Sequence, residues 1–193
     1  MAASGSAKEL TRRMMSAMTD ARTSAPDSPD TDLDRRDRAV VEGQIGRAPR
    51  AMAGVGARCV FGYPAATHQA PRDEDGHPFP TAYYLTCPHL VKQIDRLEST
   101  GGVRRYEALV AEDPRLRATL DAANARHSAL DGRGHDIAAS STPGLLKCLH
   151  AHAAFQLSAG DHPIGAAVLA EAAPRWCDDA RCATWDPATA TTS

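Results

Sequence analysis

Apolar positions along the chain change period twice. Between Leu33 and Ile45 they recur at helical spacing, with Val40, Val41 and Ile45 on one face. Asp34 is the expected N-cap, Gly46 suits the left-handed position past the end, and Pro49 blocks continuation. From Met52 to Thr86 the period falls to two. Val55, Ala57, Cys59 and Phe61 alternate with smaller or polar residues and predict a strand; Gly62-Tyr63-Pro64 reads as a turn, and Ala65 to Ala70 as a returning strand. A turn-dense loop around Asp75-Gly76 leads to Phe79–Thr86, whose Tyr and Thr content suits a half-buried pleat. After Cys87 the helical period returns. Pro88 fits a first helical position, and Leu90, Val91, Ile94 and Leu97 form an apolar stripe that Gly101-Gly102 ends. A second helix covers Val103–Ala111, and Asp113-Pro114 opens a third through Leu116, Leu120, Ala123 and His127. After a loop at 131–141, Thr142-Pro143 opens a fourth helix through Leu145, Leu149, Phe155 and Leu157. Gly160-Asp161 breaks it, and Pro163 starts a last helix to about Ala172. The pattern predicts an α+β fold: a small antiparallel sheet over about residues 52–86, packed on a helical C-terminal half over about 88–172.

Composition sets the borders. Residues 1–32 are rich in Ala, Ser, Thr, Asp and Pro and predict a disordered tail. A single domain is expected over 33–172, and a loosely structured tail over 173–193. Aromatics are only 5% of the chain, so the core must be built from Ala, Leu, Val and Ile. A net charge of −2 lacks the basic excess of a nucleic-acid binder, so no nucleic-acid partner is expected. There is no run of 18 apolar residues and no apolar core in the first 31 residues. That predicts no membrane partner and a cytoplasmic location. There the five cysteines are expected as thiols or ligands rather than as a disulfide framework.

Three segments carry a resemblance: Phe79-Pro-Thr-Ala-Tyr-Tyr-Leu-Thr-Cys-Pro88, Arg96-Leu-Glu-Ser-Thr-Gly101 and Lys147-Cys-Leu-His150. With Gly46-Arg-Ala-Pro-Arg50 and Arg58-Cys59, the chain from Asp34 to Leu169 resembles a family of high-GC Gram-positive bacteria known as domain of unknown function 501. The resemblance implies no activity. The chain departs from the family pattern at Ser140–Leu146 and at Asp161–Ala166.

Cys59, Cys87 and Cys148 each sit in a segment that carries the resemblance. Three thiolates with one histidine can hold zinc, and thiolates also hold iron–sulfur clusters, so either cofactor is the expectation for these residues. The plainer reading is three small buried side chains. For the fourth ligand the family motif points to His150. Regular helix geometry points instead to His152, because residues four apart share a face and residues two apart do not; His89 and His127 are further candidates. Cys87, just before a helix, also fits a reactive thiolate. The alternative function is a metal-free module for a small ligand or a protein partner, with an anion pocket formed by Arg47, Arg50, Arg58 and Lys147. The pair Cys177 and Cys182 reads as a feature of a loose tail.

Overall fold

The computed structural model describes residues 31–132, 137 and 145–189. The expected N-terminal tail, up to residue 30, lies outside them. Among the described residues there are six α-helices and one three-stranded antiparallel sheet in the order β1-β2-β3, so the fold is α+β. Helix α1 is Thr31–Ile45, and Gly46 follows it with positive φ. The strands are β1 (Met52–Arg58), β2 (Pro64–Gln69) and β3 (Tyr83–Leu85). Helices α2 (Pro88–Ser99), α3 (Gly102–Glu112), α4 (Pro114–Asp131), α5 (Leu149–Ala159) and α6 (Pro163–Glu171) follow, and a 3₁₀ helix spans Arg181–Trp185.

Local chemistry explains where the elements start and stop. β1 ends before Cys59, because the Cys59 N–H donates to Tyr63 O and the Gly62 N–H to Cys59 O, both at 2.9 Å, which closes a tight hairpin. The expected strand Phe79–Thr86 shrinks to three residues. Pro78 and Pro80 have no N–H to give to a ladder, and only an isolated bridge joins Arg72 to Pro78. Pro88 opens α2, and Asp113 caps α4 by accepting the Arg115 and Leu116 N–H groups. Gly101 takes the left-handed conformation between α2 and α3 (φ 85°), which a side chain would strain. Gly102 already belongs to α3 instead of ending α2.

Two expectations are corrected. The expected helix start at Thr142-Pro143 lies outside the described residues; Leu145–Cys148 are not helical, and α5 begins at Leu149. The segment after 172 is not a loose tail over the described residues. Its 3₁₀ helix packs on α1, Cys182 and Asp186 are buried, and Arg36 makes a two-pronged ion pair with Asp186 at 2.8 and 2.5 Å. Those contacts supply what composition alone did not reveal: a buried anchor for a polar stretch.

The core lies where α5 crosses the sheet and meets α6. Phe155 is fully buried and packs against Tyr83, His127 and His162 at ring-centroid distances of 5.1, 5.1 and 5.8 Å. Gly165 lets α6 approach α5: a Cβ there would stand 2.3 Å from His152 O. Among the described residues no helix is long and apolar enough to cross a membrane.

Candidate metal centre

Helix α2 turns Leu90 and Ile94, both at 0% exposure, into the core. Val91, Asp95 and Glu98 follow one another at four and three residues, so they share a neighbouring face. The N-terminus of α5 arrives on that face. The Leu149 N–H donates to Glu98 Oε1 at 2.7 Å, so a carboxylate from another helix does the capping. Cys148, at the N-cap position, keeps an extended backbone and makes no cap bond of its own.

That placement decides the histidine. Cys148 is outside the helix, so the opposite-face rule for residues two apart does not apply to it. Its Sγ lies 3.6 Å from His150 Nδ1, and Glu98 Oε1 lies 3.3 Å from the same nitrogen. The ligand atoms of Glu98, Cys148 and His150 all fall within 4.8 Å of one another. On the far side of the ring, His150 Nε2 is 3.2 Å from Asp95 Oδ1 and 3.3 Å from Val91 O. Both of those atoms only accept, so Nε2 carries a hydrogen and Nδ1 is the nitrogen turned toward Glu98 and Cys148. Burial alone would lower the His150 pKa; the bond and charge of Cys148, with the Glu98 carboxylate, outweigh it and raise the pKa to about 9.

His152 goes the other way, into the core. Its Nδ1 is 3.2 Å from His162 Nε2, and the Gly165 N–H donates to His162 Nδ1 at 2.9 Å. His162 Nδ1 therefore accepts, and its Nε2–H donates to His152. Burial lowers both, His152 to about 3.

Cys59 and Cys87 are elsewhere. Cys87 precedes the first residue of α2, while Glu98 stands near that helix's last, so Cys148 is held at the opposite end from Cys87. Among the described residues, the three predicted cysteines form no group with sulfurs within 4.8 Å of one another. Burial pushes the Cys87 thiol up, against the reactive thiolate that its helix-start position suggested. His89 bonds to Pro174 O at 2.7 Å, and His127 stacks in the core on Tyr83 and Phe155.

The four cationic residues also part company. Arg58 is bound to Asp37 and to Gly62 O. Lys147 adjoins Cys148. Arg47 and Arg50 share a groove of about 140 Å³ beside β2 and β3, where Arg50 pairs with Asp75. A second group, Asp73, Asp75 and His77, also has ligand atoms within 4.8 Å. It shapes its own turn: Asp73 Oδ1 accepts from the N–H groups of Asp75 and His77, and Arg50 takes Asp75.

The family model described as "Protein of unknown function (DUF501)" matches residues 55–170. The chain belongs to this family. The DUF501 match covers Cys59, Cys87, Glu98, Cys148 and His150, and leaves out all of α1 and the segment that carries Cys177 and Cys182. No curated protein and no solved structure matches the chain.

Sequence reasoning missed Glu98 and Asp95. Glu98 stands inside the Arg96–Gly101 segment that carries the DUF501 resemblance, and its helical register with Asp95 was the available signal. What hid it was the expectation of a sulfur-rich site, which turned attention away from carboxylates.

Proposed function

We propose that the protein binds a zinc ion through Cys148 Sγ, His150 Nδ1 and a Glu98 carboxylate oxygen. The observation that supports this is the convergence of those three donors within 4.8 Å, from the end of α2 and from the start of α5 with the residue before it. One thiolate, one imidazole and one carboxylate make a mixed set that suits zinc and does not suit an iron–sulfur cluster. Asp95 holds the outer nitrogen of His150, the carboxylate–histidine arrangement that fixes the ring of a metal ligand. Three protein ligands leave one position for water, as in catalytic rather than closed structural zinc sites. Binding would displace the Nδ1 proton of His150, so uptake releases protons and weakens as pH falls.

The test is metal analysis of untagged protein together with zinc titration of wild type, Cys148→Ser and Glu98→Gln. Wild type should bind zinc at this site, and each variant should lose affinity at least tenfold. Wild-type affinity unchanged in both variants would sink the proposal.

A second reading concerns the groove at Arg47 and Arg50. The buried Thr86 hydroxyl lines it and has no hydrogen-bond partner among the described residues, and Arg47 also lines it. A small carboxylate or phosphate would meet a guanidinium and a hydroxyl there. Phosphate protection of the fold that disappears in Arg47→Ala is the expected result; protection that persists in the variant removes this reading.

A further inference from the structure

Four of the five cysteines line one small pocket, and Cys148 is the one left out. Cys59 comes from the β1–β2 turn and Cys87 from the start of α2, while Cys177 and Cys182 come from the C-terminal segment. Three separate stretches of chain deliver the four sulfurs to the same place. In a chain with so few cysteines, a packing preference for small side chains would scatter them through the core instead.

The surroundings favour sulfur as a ligand. The Gln44 side-chain N–H donates to Cys182 Sγ at 3.3 Å. N–H groups aimed at sulfur are what metal-bound thiolates use to spread their charge. Arg181 also lines the pocket, its guanidinium bonded to Asp179 at 3.0 Å. Tyr63 and Trp176 form an apolar wall. The C-terminal segment is tied in place on both sides of the pocket. His89 holds Pro174, and Arg36 holds Asp186. A Cβ on Gly43 would meet the Trp185 ring at 2.2 Å, which shows how closely the segment packs on α1.

We infer that Cys59, Cys87, Cys177 and Cys182 form a second metal site, a four-thiolate centre for a thiophilic metal, separate from Cys148 and His150. It takes a single zinc ion. Four thiolates on a single zinc at ~2.3 Å stand about 3.8 Å apart. Among the described residues no three of these sulfurs lie within 4.8 Å of one another, so closing on one ion draws the four side chains inward. The free space between them is about 10 Å³, room for one ion and not for an iron–sulfide cluster. Each thiol gives its proton to solvent on binding. Two of the four ligands lie beyond the DUF501 match, so the centre is a property of this chain and not of the family span.

The site is tested on the full untagged chain, purified without oxygen. Metal and acid-labile sulfide are measured as isolated and after loading with zinc alone, or with ferrous iron and sulfide. Cobalt(II) is then added, because the intensity of its sulfur charge-transfer band counts bound thiolates. Cys148→Ser should keep the strong four-thiolate band. Cys59→Ser and Cys177→Ser should each weaken it at least twofold while leaving the zinc held by Cys148 and His150 in place. Cys177→Ser, at a half-buried position, guards against a variant that merely fails to fold. Zinc without sulfide, bound in addition to that held by Cys148 and His150, supports the centre; iron with sulfide overturns the single-ion assignment. A band lost only in Cys148→Ser, no thiolate band in any protein, or a Cys59–Cys182 disulfide in anaerobic protein would overturn it. Because the variants differ, failure here is distinguishable from failure of the Cys148–His150 site.

Discussion

His150 and His152 are two residues apart on one helix and live in opposite worlds. His150 faces α2 with its side chain 19% exposed, between Asp95 on one nitrogen and Glu98 with Cys148 on the other. His152 is 2% exposed and bonded to His162, itself fully buried. The bond and charge of Cys148, with the Glu98 carboxylate, raise the first to about 9, while desolvation lowers the second to about 3. The difference teaches that residue type and spacing do not assign a histidine its role. The groups brought to it by another helix do, and here α2 brings two carboxylates to one ring while α6 brings a neutral imidazole to the other.

The largest expected effect is on acid stability. Below pH 6.5 the unfolded chain protonates His152 and His162, while the folded chain keeps both neutral far lower. The unfolded state then binds more protons, so stability is present above about 6.5 and is lost as pH falls. At pH 5 each histidine costs about 2 kcal/mol, so about 4 kcal/mol for the two. His150 has the opposite sign. Its folded form holds a proton up to about 9, so its contribution is full below 6.5 and is lost as pH rises toward 9. Urea midpoints of metal-free protein at pH 5, 7 and 9 should therefore form a dome. His150→Ala should keep the acid limb and flatten the alkaline one; an acid limb absent from wild type would break the comparison.

Next is His162→Ala. His162 caps α6 through the Gly165 N–H and fills space against Phe155. Losing the cap costs about 1 kcal/mol and the cavity about 2 kcal/mol more. A loss of about 3 kcal/mol by urea denaturation, with zinc affinity unchanged, is expected. Zinc affinity that collapses along with stability would mean the two histidine environments are not separate.

The fold was largely legible because its signals are local. Pro88, Asp113-Pro114 and Pro163 mark helix starts by their own geometry, and all three helices begin there. The register of the hydrophobic stripe placed Leu90 and Ile94 in the core. The short third strand was less legible, since two prolines weigh against residue types that otherwise favour a pleat. The site was half legible. Cys148 and His150 carried the family motif, yet the start of α5 is set by Glu98 from another helix, and no local signal near Thr142-Pro143 could report that. Without that boundary the helical rule pointed to His152. The C-terminal segment was illegible for the same reason: Asp186 and Cys182 are buried by partners on α1.

His150→Ala is the next test in size. Zinc affinity should fall at least 100-fold, about 2.7 kcal/mol, while metal-free stability near pH 7 falls by about 2 kcal/mol, the charge stabilisation that the raised His150 pKa supplies. His152→Ala should destabilise the fold while zinc binding by the folded protein persists. Titration against a chelating dye, alongside denaturation of both variants, reads the two outcomes together.

The smallest effect distinguishes a ring that is positioned from one that is merely present. His150 Nε2 has two acceptors, the Asp95 carboxylate and the Val91 carbonyl, at nearly equal distances. In Asp95→Asn an amide oxygen still accepts a hydrogen bond, but the negative charge is gone, so Nδ1 becomes a poorer donor to the metal. Outer carboxylates of this kind are worth about 10- to 100-fold in metal affinity, and Asp95 is 63% exposed, so the low end, about tenfold, is expected. The charge on Asp95 should matter less at high salt, which screens an exposed carboxylate, and the deficit of Asp95→Asn should narrow there. Equal zinc affinity for wild type and Asp95→Asn at every salt concentration would mean that the Val91 carbonyl orients the ring by itself. The contrast with His152 would then rest on Glu98 and Cys148 alone.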